Sequence, residues 1–376
     1  MATTLAQELS EAREVIRQKN VKLNILERDL RRRAMENESA ERVRKEIFGL
    51  AEYSPDPPKW LNQEPGKSST GIPIITLGDW HIGETVDPDQ VGGVNKFNRE
   101  IAKRRVRNLA HAVDDLCFNH MTNPNYPGAV VLLLGDFITG CLHDDLTVTN
   151  DGPLTFSIQD VQDYIIGLLK FWAKKFKHIS VVCVPGNHGR STIKPRLNNK
   201  IYESWEWLIY CNVEKYFRDD ARVKVYVPNA VDAFFSVFGH KFMVTHGDTL
   251  GVTGGDSLIG KLGPISRGTM KLGAQQRSIG KDFDTLVIGH FHFYMPRGDA
   301  TPVYVNPCLI GHNTYAHLQL RVRASKPAQS LIFLHSKRGF TCQWPVLVDE
   351  PRTANHDPWF VWGGQRTNRE LGLGLD

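Results

Sequence analysis

The sequence predicts an α/β sandwich of two facing mixed sheets, of the four-layer type, preceded by a coiled-coil helix. Three observations predict it. From residue 71 to about 184, short apolar runs alternate with longer helical stretches, the order of βαβ units and a largely parallel sheet. From residue 223 to about 347 the pattern changes to apolar runs joined by tight turns, which read as strands. Before residue 50 the composition is of another kind, with 20 charged side chains (11 basic, 9 acidic), no proline, and no glycine before Gly49.

Residues 1–50 form the predicted coiled-coil oligomerisation segment. Leu9, Ile16, Leu23 and Leu30 recur every seven residues, and Leu5, Ala12, Lys19, Leu26 and Arg33 take the companion positions. Lys19 and Arg33 weaken that seam. A single solvated helix is the plainer alternative, but an isolated polar helix has little to keep it folded, which favours a homo-oligomer. Residues 51–70, with Pro55, Pro57, Pro58, Pro65 and Ser68-Ser69, read as a linker. The body, 71–350, opens with the strand Ile72–Leu77. Helical stretches at about 97–118 and 159–177 alternate with strands at 129–134 and 180–184, and the strands Phe234–Phe238 and Lys241–Thr245 follow around Gly239-His240. Residues 351–376 carry Pro, Trp and Gly without period and read as an extended tail.

Composition narrows the class. Of the 376 residues 41% are hydrophobic and eight are Trp, enough for a packed core rather than disorder. The six cysteines show no Cys-x-x-Cys or zinc-finger spacing, so buried free thiols in a reducing compartment are expected. The longest purely apolar run, Ala129 to Leu134, falls far short of the roughly 20 residues that span a bilayer. The N-terminus has no signal-peptide pattern, and a soluble cytoplasmic protein is expected. A net charge of +5 leans mildly toward an anionic partner.

The chemistry sits at five places, each after an apolar run: Asp79-Trp-His81, Gly135-Asp136, Gly186-Asn187-His188, His246-Gly-Asp248 and Gly289-His290-Phe-His292. Open α/β sheets gather their ligands where loops leave the carboxyl edges of strands. The glycines before these residues let backbone approach closely. The carboxylates Asp79 and Asp136, one amide and five imidazoles are the inventory of a two-metal hydrolytic site. Single histidines elsewhere, such as His111, His240 and His317, are more often surface or core residues.

In their order these five blocks, covering Gly78 to His292, resemble the calcineurin-like metallophosphoesterase superfamily. The resemblance implies that family's fold and a first metal held by Asp79, His81, Asp136 and His292. It implies a second metal held by Asp136, Asn187, His246 and His290, with Asp136 bridging. Imidazoles mixed with carboxylates suit Mn²⁺, Fe or Zn²⁺ better than Mg²⁺, and Mn²⁺ is the family's first expectation. The ions would share a water for in-line attack on phosphorus, and His188 would serve the leaving group rather than a metal. In many relatives an acid three residues after the bridging Asp orients that histidine. Here the slot is Thr139, so His143, Asp144 and Asp145 are the candidates, with an ordinary acidic loop as the alternative.

Two departures bear on substrate. Ser/Thr phosphatases of the superfamily carry an Arg shortly after the bridging Asp and an acid after the Asn-His pair, where this chain has Phe137-Ile-Thr139 and Gly189-Arg190. The Asp-x-His opening and Gly-His-x-His close are more similar to nucleases of double-strand-break repair (the SbcD-like type) and to phage- and prophage-encoded phosphoesterases, some of them DNA exonucleases. Gly189 departs from the acid usual in the repair nucleases. A phage origin would place the protein in the host cytoplasm, and a separate ATPase partner would come from elsewhere, since the chain holds no motor motif of its own. Residues 249–281 hold eight Gly and five cations, Lys261, Arg267, Lys271, Arg277 and Lys281, against the single acid Asp256. They read as a flexible basic loop beside the site that follows a DNA backbone. Gly255–Lys261 mimics a phosphate-binding loop, but Leu262 replaces the required Ser/Thr and no helix signal follows. Arg104, Arg105 and Arg107 have a weaker claim on DNA, as the wet face of a helix. The expected function is thus a two-metal phosphodiesterase cutting DNA, exonuclease-like. A phosphatase or phosphodiesterase for small nucleotides is the alternative, and a non-catalytic metal-bound scaffold a third.

Overall fold

In the computed structural model the described residues are 13–31, 71–121, 124–140, 150–250, 262–298 and 302–349. The chain divides into two compact units, 1–58 and 59–376. The linker over 51–70 and the tail over 351–376 lie outside the described residues.

In the first unit residues 13–31 form one helix, α1, with every residue exposed. The heptad positions Ile16, Leu23 and Leu30 are among them.

Among its described residues the second unit has ten strands in two sheets. The first sheet has the order β10-β9-β1-β2-β3-β4, with β1 (Ile72–Leu77), β2 (Ala129–Leu133), β3 (Ile179–Cys183), β4 (Val223–Tyr226), β9 (Ala328–His335) and β10 (Gly339–Leu347). β1 to β4 are parallel, in a register such as Ile74 opposite Val130, and β9 and β10 add antiparallel strands. The second sheet has the order β5-β6-β7-β8: β5 (Asp232–Val237), β6 (His240–Thr245), β7 (Thr285–Ile288) and β8 (Val303–Val305). Here β5 is antiparallel to β6, and β6, β7 and β8 are parallel.

Alternation along the strands assigns the layers. Ile72 and Ile74 of β1 face the space between the sheets, where Val130, Leu132, Phe242, Val244 and Val287 meet them. Ile75 and Leu77 face outward onto α2 (Arg99–Asp115), α3 (Leu154–Trp172) and α4 (Trp205–Phe217). Met243, Leu286 and Ile288 face outward from the second sheet onto α5 (Leu262–Ser278). The order is helix, sheet, sheet, helix, as expected. α2 starts where Asn98 accepts a hydrogen bond from the Ile101 N–H, at 2.9 Å. Pro345 sits in β10, an edge strand, where its missing N–H is tolerated. A short helix, α6 (Thr314–Leu318), lies in the connection from β8 to β9. Among the described residues no helix is long and apolar enough to cross a membrane.

Two expectations need correcting. The flexible basic loop is in large part α5, the helical crossover between parallel β6 and β7; residues 251–261, with Lys261, lie outside the described residues. The helix was hidden because its buried face is made largely of small and polar residues, with Pro264, Ile265, Gly268, Thr269, Gly273 and Gln276 at helical spacing. Gly268 is required there: a Cβ would lie 2.9 Å from the Leu250 carbonyl oxygen. Arg105 is not on a wet face. It is buried, its guanidinium bonding Asp349 (2.7 Å), the carbonyls of Leu309 (3.0 Å) and Ile310 (2.7 Å), and the Asn95 amide oxygen (2.9 Å).

Two glycine substitutions should therefore move stability in opposite directions. Gly167 is exposed in mid-α3, and a Cβ there would meet nothing within 4 Å, so Gly167→Ala should stabilise by about 1 kcal/mol, a Tm rise of about 2 °C. Gly268→Val must push α5 off Leu250 and should lower Tm by several degrees. Thermal melts of the two variants decide it, and a Gly268→Val protein as stable as wild type would refute the packing argument.

Candidate metal centre

All five sequence blocks meet at the carboxyl ends of β1, β2, β3, β6 and β7. The loop after β1 runs alongside the loop after β2, with Asp79 N–H on Gly135 O at 2.9 Å, His81 N–H on Asp136 O at 3.1 Å and Ile82 N–H on Phe137 O at 2.8 Å. Trp80, between the two candidate ligands, turns into the core: its ring lies edge-on to Phe137, 4.7 Å between centroids, and its Nε1–H reaches Gln329 Oε1 at 3.1 Å. Asp79 and His81 therefore share the other side.

The side chains converge in overlapping clusters. Asp79, His81 and His292 form one, and Asp136, His246 and His290 another; in each, ligand atoms lie within 4.8 Å of one another. His81 Nε2 and His292 Nε2 are 3.1 Å apart, and His292 Nε2 is 3.3 Å from Asp79 Oδ1. In the second cluster His246 Nε2 is 3.0 Å from Asp136 Oδ2 and 3.1 Å from Asn187 Oδ1. His246 is aimed by its other nitrogen, which donates to the Leu134 carbonyl at 2.7 Å. His290 adds its backbone N–H to both Asp79 oxygens, each at 3.0 Å.

The backbone carries strain at these residues. Asp79, His81, Asp136, His290 and His292 all have positive φ, between 52° and 66°. Such conformations cost about 1–3 kcal/mol each and persist where the surroundings over-determine them. The flanking glycines are forced by contact: a Cβ on Gly186 would strike Asp136, and one on Gly289 would strike Asp79 Oδ2.

This arrangement fits divalent cations. Lone pairs of facing imidazoles and carboxylates aimed at a common point repel one another until a cation lies between them. Burial and the neighbouring His188 and His292 hold the His81 imidazole well below the usual histidine range, and burial with His246 lowers His290 to about 4, so both offer neutral nitrogen. Burial would raise the Asp136 carboxyl, but His246 and His188 pull it well below the usual range. Burial likewise opposes the charge on His246, yet Asp136 outweighs it and lifts this imidazole to about 10.

His188 stands beside both groups, its ring 4.7 Å from that of His81, and its own N–H bonds Asp136 Oδ1 at 2.7 Å. It lies close enough to His81 and Asp136 to complete a third cluster. Its Nδ1 meets the Thr139 carbonyl at 3.0 Å; a carbonyl only accepts, so Nδ1 carries the hydrogen and Nε2 is left for chemistry. The expected orienter was an acid further along; among the described residues the partner is the backbone of Thr139 itself. His143 and Asp145 lie outside them.

Three supporting side chains escaped the sequence reading. Buried Glu84 has Oε2 4.0 Å from His81 Nδ1, an atom that otherwise has no partner, and Asn313 donates to its Oε1 at 2.9 Å. Buried Gln329 accepts from Gly78 N–H at 2.8 Å and donates to Gly78 O at 3.1 Å, fixing the start of the Asp79 loop. Glu206 accepts from Phe137 N–H at 2.6 Å and Gly186 N–H at 2.7 Å; burial, then the Asp136 charge, raise it to about 7. Glu206 did leave a signal, as a lone acid in the buried stripe it shares with Ile209, Tyr210, Val213 and Phe217.

The candidate DNA contacts are less gathered. Arg267, Lys271 and Arg277 all lie on the exposed face of α5. A crossover helix runs antiparallel to its strands, so α5 begins at the metal end and Arg277 lies about 15 Å further from it than Arg267.

Fold and clusters together define a metal-dependent phosphoesterase. Residues 72–298 match the calcineurin-like phosphoesterase family model, and the chain belongs to that family. No curated protein matches it. Among solved structures it is similar to a protein of unknown function from Aquifex aeolicus, at 12% identity over 63% of this chain and 89% of that one, TM-score 0.26. It is also similar to a candidate 5′-nucleotidase from Staphylococcus aureus in complex with α-ketoglutarate, at 11% identity over 77% of this chain and 56% of that one, TM-score 0.31.

Cation binding should release protons. The proton that Asp136 keeps on His246 up to about pH 10 occupies the nitrogen a cation would take, so Mn²⁺ affinity should rise with pH through the neutral range. Calorimetric titration at pH 7.5 in two buffers of different ionisation enthalpy should show about one proton released from this pair. Identical apparent enthalpies in both buffers would rule it out.

Proposed function

We propose that this chain is a two-metal phosphodiesterase that cleaves DNA, with Mn²⁺ as its working ion. One ion is held by Asp79, His81, Asp136 and His292, the other by Asp136, Asn187, His246 and His290. When bound, the pair supplies charge to clamp a phosphate and acidifies a water for attack on it. Asp136 belongs to both ligand sets and fixes their spacing. His188, steadied by Thr139 O, presents Nε2 to the leaving oxygen and, when both ring nitrogens are protonated, gives it the Nε2 proton.

The observation that carries the DNA assignment is the cationic rim. The loop after His188 bears exposed Lys194 and Arg196, and its Lys200 pairs with Asp248, just after His246, at 2.6 Å. On the other side of that junction α5 turns out Arg267 and Lys271, neither in an ion pair among the described residues. A polyanion longer than one nucleotide meets both walls, whereas a small nucleotide needs neither. Arg190 takes no part: its guanidinium is spent on the carbonyls of Asn187, Thr192 and Ile193, holding the base of the loop.

The test is a paired assay with Mn²⁺, using end-labelled linear DNA and bis-p-nitrophenyl phosphate. Wild type should cleave both, and His188→Gln should lose about 10²–10⁴ in kcat on both while keeping its metals. Arg267→Glu with Lys271→Glu should raise KM for DNA and flatten its salt dependence, leaving the small diester unaffected. Cleavage of the small diester alone would sink the DNA assignment.

The same reading makes α1 an oligomerisation helix. Ile16, Leu23 and Leu30 are all more than half exposed in a helix that stands as its own unit, and a parallel pairing sets Lys22 of one copy against Glu27 of the other. Leu23→Asp should convert the oligomer to monomer in light scattering; an unchanged mass would end this assignment.

A further inference from the structure

Glu206 opens the first turn of α4, and its side chain is completely buried. It forms no ion pair among the described residues. Its carboxylate is held instead by two backbone amides, Phe137 N–H at 2.6 Å on Oε1 and Gly186 N–H at 2.7 Å on Oε2. Phe137 directly follows Asp136, and Gly186 directly precedes Asn187. One carboxylate thus joins the two loops that carry the shared ligand and the amide ligand, which come from different strands. At this junction Gly135 and Gly186 touch so closely that no Cβ fits on either.

Position 189 explains why the carboxylate comes from a helix. The residue directly after His188 is Gly189, which leaves that space open. A Cβ on Gly189 would lie 2.6 Å from Glu206 Cγ, 2.7 Å from Cδ and 3.0 Å from Oε2. A side chain at 189 and the Glu206 carboxylate therefore compete for one space, and a short acid at 189 would put its own carboxyl where that of Glu206 now is. We propose that Glu206 is a positioning residue of the metal centre, supplying from α4 the carboxylate that clamps the Asp136 loop to the Asn187 loop, and that it governs the ion held by Asp136, Asn187, His246 and His290.

The selectivity follows from what each cluster rests on. Asn187 reaches the site only through the loop whose Gly186 amide Glu206 holds. The Asp79 loop is fixed by its own bonds to Gly135 O, Asp136 O and Gln329. Replacing the carboxylate by an amide of the same size leaves one acceptor for two N–H groups and turns a donor toward the other, so one loop loses its anchor. Glu206→Gln is thus a change of hydrogen bonding with little change of volume.

The inference rests on the two-ion reading and is tested on the full chain, without relying on turnover. Mn²⁺ binding is followed by calorimetry, and low-temperature electron paramagnetic resonance separates spin-coupled pairs from single ions. Wild type should bind two ions. Glu206→Gln should bind one with near-native affinity and the other at least tenfold more weakly, trading the coupled signal for a mononuclear one, with Tm in the ion-free state lowered by only a few degrees. Glu206→Ala should show the same loss, and Glu206→Ala with Gly189→Asp should regain the second affinity to within a few-fold. Native binding of both ions by Glu206→Gln overturns the inference, as does equal weakening of both, the mark of a general structural role. If Glu206→Ala does not fold, Glu206→Gln alone decides. A wild-type protein that binds no Mn²⁺ overturns the two-ion reading and this inference with it.

Discussion

The Asp136 carboxylate is the contact on which the rest of the site depends. It leaves the first sheet at the end of β2, where its Oδ1 takes the His188 N–H and its Oδ2 faces His246 from the second sheet. The two sheets meet chiefly through apolar side chains, which set a distance but not a register. Asp136 supplies a directional contact between them. Because β1, β2 and β3 are parallel and in register, their loops leave the same edge, and the β6 and β7 loops close on that edge from across the sandwich.

Holding so many ligands together requires conformations the chain would otherwise avoid. Five of the metal-site residues sit on left-handed backbone, which is uncommon for residues other than glycine. The glycines around them remove the collisions, and buried hydrogen bonds from Gln329, Glu206 and the Leu134 and Thr139 carbonyls fix what remains. Strain of this kind, gathered at one spot, is a mark of function: a fold without a ligand to bind would relax it. Two further acids, Glu84 and Glu206, are buried around a centre whose ligand sets hold only Asp79 and Asp136 as carboxylates.

Around this centre the cations divide by role. Arg105 and Arg190 are consumed by backbone carbonyls and hold loops, while Lys194, Arg267 and Lys271 are exposed. A count of positive residues does not separate these groups; their hydrogen bonds do. These exposed cations, which make no hydrogen bond to the backbone among the described residues, are carried by the loop after His188 and by the helix α5.

The sequence by itself determined the strand ends and the ligand types. Parallel strands buried on both faces are continuous apolar runs, and each run here ends in a polar block, in four of the five after a glycine, so the five blocks and the two-sheet order were legible without coordinates. α5 was not legible, because its buried face is glycine, threonine and glutamine against Leu250, and small residues leave no hydrophobic period. Nor was Arg105, a charge inside a helix stripe, distinguishable from its exposed neighbours Arg104 and Arg107. Only tertiary structure assigned the partners: Thr139 O to His188, Glu206 to the Asp136 and Asn187 loops, Glu84 beside His81. The reason is physical. Apolar burial and backbone pattern are properties of local sequence, whereas a hydrogen bond to a buried carbonyl or amide can pair residues 251 positions apart and exists only once the layers have closed.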